Sequence, residues 1–159
     1  MSDRTRHDAP TTPPDRSTSA QRLRRLPTRL LSLATIHSDR QVNEALARLH
    51  ARKWHYAVLA TLEEFGPASQ ADLSSRTSIY RSDVATVINE LAARGLVDRA
   101  PDPADNRRNL VTLTRDGRRQ LLKLDAVLLS VEDEVLTPLT PRQREQLHRL
   151  LTILVEYHG

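Results

Sequence analysis

The sequence predicts a mainly α-helical domain of six helices interrupted once by a short β-hairpin. Three observations carry that prediction. Apolar residues recur at helical spacing over long stretches, as in Leu26, Leu30 and Leu33 and then Val42, Leu46 and Leu49. The period changes where Leu96-Val97-Asp98-Arg99 and Leu110-Val111-Thr112-Leu113 form two short β-prone runs. Start and stop signals separate the periodic segments: Gly66-Pro67, Ser69-Gln-Ala-Asp72, Gly95, Thr114 and Thr140-Pro141.

Composition bounds the class. The chain has 159 residues, the length of one domain. Cysteine is absent, which excludes a disulfide framework, a cysteine-ligated metal site and a thiol nucleophile. No apolar run approaches the roughly 18 residues of a membrane span. Charge and proline stand where a signal peptide needs an apolar segment, so the expected location is the cytoplasm. Hydrophobic residues make up 38% and aromatic residues 3%. The core is therefore modest and built mostly of leucine, which favours sharing it through a dimer. The formal net charge of +4 resides in residues 1–30, where Arg4, Arg6, Arg16, Arg22, Arg24, Arg25 and Arg29 face only Asp3, Asp8 and Asp15. The rest of the chain is neutral overall.

The elements follow in order. Residues 1–25 read as a disordered basic tail, rich in Pro, Ser, Thr and Arg. Leu26, Leu30, Leu33, Val42, Leu46 and Leu49 give a long helix over about 28–50, with Pro27 suited to its first turn. A second helix covers about 52–65, with Trp54, Ala57, Val58, Leu62 and Phe65 inward, and Gly66-Pro67 ends it. Ser69 and Asp72 form a capping box that opens a short helix to about Arg76. The next helix spans about Arg81 to Arg94, with Val84, Val87, Ile88 and Leu91 on one face and Gly95 as its stop. The hairpin after it carries a polar tip from Pro101 to Asn109, too long for a two-residue turn. Thr114 caps a helix to about Leu136, and the last helix opens at Thr140-Pro141 with Leu147, Leu150, Leu151, Leu154 and Val155.

Two short helices joined by a tight turn and followed by a two-stranded ribbon form a winged helix-turn-helix. The second of those helices fits a DNA major groove, and the ribbon tip can set an arginine in the minor groove. With its apolar stripe inward, that helix turns Ser82, Asp83, Thr86, Asn89, Glu90 and Ala93 outward. Arg81 and Ser82 stand at its N-terminal end, where the helix dipole is positive.

Gly95-Leu-Val-Asp-Arg99, then Asp102-Pro-Ala-Asp105-Asn-Arg107, then Val111-Thr-Leu-Thr114-Arg-Asp-Gly117 resemble the signature of the MarR (multiple antibiotic resistance regulator) transcription factors. Arg81-Ser82-x-Val84, Trp54-His55-Tyr56-Ala-Val-Leu59 and Leu139-Thr-Pro141 extend the likeness to about residues 26–157. The resemblance implies a homodimer whose first and last two helices interlock. It divides the chain into a tail (1–25), a dimerisation helix (26–52), a winged helix-turn-helix DNA-binding region (53–117) and C-terminal dimerisation helices (118–159). Each subunit would offer one winged helix to half of a pseudo-palindromic operator on double-stranded DNA. Most members repress transcription, and many release DNA when a small, often phenolic anion binds between the lobes. Carried over by motif, Arg107 is the wing arginine for the minor groove and Asp105 its acidic partner. Arg81, Ser82 and Thr86 fall where the recognition helix meets DNA. Asn106 stands where a second tip arginine is common, and Arg108 would compensate. Tyr80 departs from the short acidic residue usual before the Arg-Ser pair and cannot cap a helix, which leaves the helix start open by two residues.

Other readings stand beside these. The neutral recognition helix and body also suit a winged-helix protein-interaction module that binds no DNA. His55 suits a packed helix residue or, with His37 and Trp54, the wall of a pocket for a small aromatic or anionic ligand. The six histidines show no metal-ligand pairing at helical spacing, and no cofactor is expected. An enzyme is not expected either. The sequence holds no Gly-rich phosphate loop, G-x-S-x-G or H-E-x-x-H motif, and Glu63 and Glu64 diverge on their helix.

Overall fold

A computed structural model of the chain describes residues 20–158, the side chain of Asn106 excepted. The described residues form seven helices and one three-stranded antiparallel sheet. The chain divides into two compact units, Met1–His37 and Ser38–Gly159.

The first unit holds helix α1 (Gln21–Arg24) and the first part of α2 (Pro27–Ala47). Residues 1–19 of the expected tail lie outside the described residues. Within the rest of that stretch, Gln21–Arg24 closes a helical turn that buries nothing. Pro27 opens α2, where a missing N–H costs no intrahelical bond. Leu26, Leu30, Leu31 and Ile36 remain exposed.

The second unit contains the end of α2, α3 (Lys53–Phe65), α4 (Gln70–Thr77), α5 (Arg81–Ala93), α6 (Arg115–Val135) and α7 (Pro141–His158). Its sheet comprises β1 (Ala68–Ser69), β2 (Val97–Asp102) and β3 (Asp105–Leu113), in the order β1-β3-β2. Leu46, Leu59, Leu73, Ile88, Leu91 and Leu124 are fully buried and centre one core that joins α2 through α6 to the base of the sheet. The inward face of α3 is His55, Val58, Leu59 and Leu62: Val58 and Leu62 as expected, with His55 and Leu59 where Trp54 and Phe65 were expected. Trp54 is 43% exposed and Phe65 56% exposed, the latter lying under the Arg76 guanidinium at 4.5 Å.

The predicted caps form. Ser69 Oγ accepts from Asp72 N–H at 3.2 Å and the Asp72 carboxylate accepts from Ser69 N–H at 3.1 Å. Thr114 Oγ1 accepts from Gly117 N–H at 2.9 Å, and Thr140 and Gln143 exchange bonds at the start of α7. Gly95 takes φ +66° as the helix stop, and Leu96 N–H reaches back to the Leu91 carbonyl at 3.0 Å.

The wing differs from expectation in two ways. Its strands reach Asp102 and Asp105, which face each other, so the turn is only Pro103-Ala104. Asp102 Oδ1 closes it by accepting from Ala104 N–H at 2.9 Å. Pro101 fits within β2 because β2 is an edge strand, where a missing N–H leaves no neighbour unpaired. A third strand also forms. Ala68 and Ser69 pair with Val111 and Leu110 and tie the wing's base to the start of α4.

Candidate nucleic-acid interface

The second helix of the helix-turn-helix starts at Arg81. Tyr80 precedes it with no side-chain cap and 81% exposed. The backbone N–H groups of Asp83 and Val84 turn back to the Tyr80 carbonyl, at 3.0 and 2.9 Å, so the first turn closes without a cap. Ser78, in the left-handed conformation, ends α4 and makes the tight turn between the helices. Arg81 and Ser82 are exposed on the first turn of α5. Thr86 is exposed on the next turn and donates its hydroxyl to the Ser82 carbonyl at 3.2 Å. Among the described residues the Arg81 guanidinium has no acidic partner, while its carbonyl accepts from Gln70 Nε2 at 3.0 Å.

At the wing, Arg107 and Asp105 are both exposed. Asp105 Oδ1 accepts from the backbone N–H of Arg107 at 3.0 Å. The expected partnership is thus corrected in kind: the carboxylate fixes the arginine's backbone and leaves its guanidinium without an acidic partner among the described residues. Arg108 points elsewhere. Its guanidinium donates to Ser69 Oγ at 3.2 Å and lies 3.5 Å from Asp72, so it braces the wing against the start of α4. That carboxylate is held below its ordinary range chiefly by the Ser69 hydroxyl and N–H. A cleft of about 390 Å³ lies beside this brace, lined by Ser69, Gln70, Ala71, Arg81, Arg108 and Asn109.

Arg81, Ser82 and Thr86 thus share α5, Arg107 and Asp105 share the wing tip, and Arg108 stands between wing and α4. Two outward positions are in fact engaged. Asn89 accepts from the Arg99 guanidinium of β2, and Glu90 turns toward α3.

Of the residues proposed for a ligand pocket, His37 is exposed on α2 and Trp54 exposed at the start of α3. His55 is buried and both ring nitrogens are used. Nδ1 accepts from Arg52 N–H at 3.1 Å and Nε2 lies 2.6 Å from Glu90 Oε2. An accepting Nδ1 leaves the proton on Nε2, which donates it to the carboxylate. Burial and these two bonds leave His55 no free polar atom, in keeping with its packed reading. Among the described residues no cluster of His, Asp and Glu could hold a metal ion, and no helix is long and apolar enough to cross a membrane.

Burial pushes the His55 imidazole below its ordinary value, with the Glu90 bond opposing. Glu90 is held below the usual carboxylate range by His55 first and Arg52 second. Both shifts are depressions, so both stabilise the fold more at higher pH. The His55 contribution is complete above its unfolded value of 6.5 and is lost as pH falls through the folded value. The thermal midpoint is expected to hold near neutral pH and decline below about pH 6.5. Melting curves from pH 8 to pH 5 check this. A midpoint unchanged down to pH 5 would show that the fold does not require neutral His55.

A family model described as the MarR family matches residues 52–108, from the start of α3 to the wing. The HTH-type transcriptional repressor NicR of Pseudomonas putida is 37% identical over 62 residues, which is 39% of this chain and 39% of that protein. The solved structure of a probable transcriptional regulator from Pseudomonas aeruginosa is 30% identical, with a TM-score of 0.75 over 83% of this chain and 98% of that one. The structure of Bordetella bronchiseptica BpsR, whose DNA binding is regulated by 6-hydroxynicotinic acid, is 27% identical. Its TM-score is 0.75 over 82% of this chain and 94% of that one.

Proposed function

The chain belongs to the MarR family, and from that premise we propose that it is a homodimeric, sequence-specific DNA-binding regulator that represses transcription and is released by a small aromatic acid. One observation carries the reading. The groups a winged helix presents to DNA are exposed here: Arg81, Ser82 and Thr86 at the start of α5, and the Arg107 guanidinium at the wing tip. The relatives reported above are regulators rather than enzymes, which agrees with a binding role.

Dimerisation rests on the terminal helices. No residue of α7 is buried, although Leu150, Ile153, Leu154 and Val155 lie along it. Leu122 and Leu129 on α6 and Leu26, Leu30 and Ile36 at and along α2 are exposed as well. Apolar surface of this extent is a contact area, and a second copy of the chain is the partner that fits the family. The division into a dimerisation helix over 26–52, a reading region over 53–117 and dimerisation helices over 118–159 belongs to this proposal. Release by an aromatic acid is carried over from BpsR.

One observation favours the second reading, a protein-interaction module. The first turn of α5 carries Asp83 as well as Arg81, so it offers little net positive charge. One experiment separates the two. The purified protein is mixed with fragmented DNA of its own genome at about 150 mM salt, and the retained DNA is sequenced. A short pseudo-palindrome with half-sites about one helical turn apart is expected. Its affinity should fall steeply and log-linearly with salt. Retention of no fragment, or binding indifferent to salt, would favour the interaction module.

A further inference from the structure

The second half of α5 is gripped by one corner of the molecule. Glu90 and Arg94 stand one turn apart, so they share a face. Glu90 Oε2 accepts from His55 Nε2 at 2.6 Å and pairs with the Arg52 guanidinium. Arg94 Nη1 donates to the His50 carbonyl at 2.7 Å. Residues 48–52 are the corner where α2 ends and α3 begins, and His50 turns it in the left-handed conformation, φ +53°, without being glycine. The corner is tied on another side too, since Gln120 of α6 donates to the Leu49 carbonyl at 3.0 Å.

Resting on the DNA-binding reading above, we propose that Glu90 and Arg94 are positioning residues, which set the angle of the recognition helix by anchoring its C-terminal half to the corner at residues 48–52 and to His55 at the start of α3. DNA is met at the opposite end of α5, by Arg81, Ser82 and Thr86. A helix held at one end and read at the other converts a small rotation at the anchor into a displaced Ser82 and Thr86. Base readout needs those atoms within hydrogen-bond distance of base edges, whereas phosphate attraction tolerates the displacement. The anchor therefore governs discrimination rather than general affinity. Through Gln120 it also links the setting of α5 to α6.

The test uses two substitutions of opposite charge change in the full chain, Glu90→Gln and Arg94→Gln. Affinities are measured for the retained genomic fragment and for a scrambled duplex of the same composition, at one salt concentration. Simple electrostatics predicts opposite results: removing an anion tightens binding to both DNAs, and removing a cation weakens binding to both. Anchoring predicts that both variants lower the ratio of specific to scrambled affinity, by about tenfold. Circular dichroism melts identify any variant that fails to fold, and Arg94, at the exposed end of the helix, carries the test if Glu90→Gln does. Affinity changes that follow the sign of the charge, with the ratio unmoved, overturn the proposal. If the wild-type chain selects no fragment, the DNA-binding reading falls and this one with it. If it does select one, an unmoved ratio overturns this proposal alone.

Discussion

Arg107→Ala is expected to weaken operator binding by about 1–3 kcal/mol, roughly five- to 150-fold, with no change in the melting temperature. The side chain is exposed, and its guanidinium has no acidic partner among the described residues. Truncating it therefore removes nothing from the core. Its backbone, by contrast, is fixed by Asp105, so the free guanidinium is presented from a defined position. In the minor groove that fork meets negative potential and base-edge acceptors together. Titration of the retained genomic fragment with wild type and variant measures the loss. Arg107→Lys separates its components, since a lysine keeps the charge without the planar fork. Unchanged affinity in Arg107→Ala would remove the wing from the interface.

The second large effect concerns folding. Gly117→Ala is expected to destabilise the chain by about 3 kcal/mol, because overpacking a tight contact costs about that much. A Cβ at this position would collide with the backbone carbonyl oxygen of Leu96. Backbone cannot yield there, since the same carbonyl accepts from Thr114 N–H at 3.1 Å and Thr114 Oγ1 donates to the Gly95 carbonyl at 2.7 Å. The start of α6 is thus docked on the end of α5. Gly95→Ala is the comparison. A Cβ there meets open space, and only the φ of +66° opposes it, a penalty of about 1 kcal/mol. At about 2–4 °C per kcal/mol, the melting temperatures should differ clearly. Equal losses would show that α6 does not approach Leu96 so closely.

What the sequence made legible was what local spacing controls. The stripe of Val84, Val87, Ile88 and Leu91 has the right period for a buried helix face, and those four residues are buried. The Ser69, Thr114 and Thr140 starts were legible because a cap needs only a side-chain oxygen and a backbone N–H two or three residues away. Features set by distant partners were not. Two residues have no period, so β1 becomes a strand only through its pairing with Val111 and Leu110. Pro101 read as loop because proline breaks interior strands, whereas β2 lies at the sheet's edge. The inward face of α3 required treating His55 as a core residue, which its bond to Glu90, 35 positions away, makes possible. The same distance hid the fact that Glu90 faces the protein and that Arg108 braces α4. Of the site itself, the positions of Arg81, Ser82, Thr86 and Arg107 were readable from motif and period. Their freedom from acidic partners was not, because it depends on where every neighbouring carboxylate ends.

The pairing of β1 with β3, and the reach of Arg108 to Ser69, have a thermodynamic consequence for association. The conformational entropy of the wing's base is surrendered when the chain folds, not when a duplex arrives. With the tip also closed by Asp102 and Asp105, exposed side chains such as the Arg107 guanidinium are what a duplex would still have to order. The heat-capacity change of association then reports the surface removed from water, free of the large coupled-folding contribution that an unbraced ribbon would add.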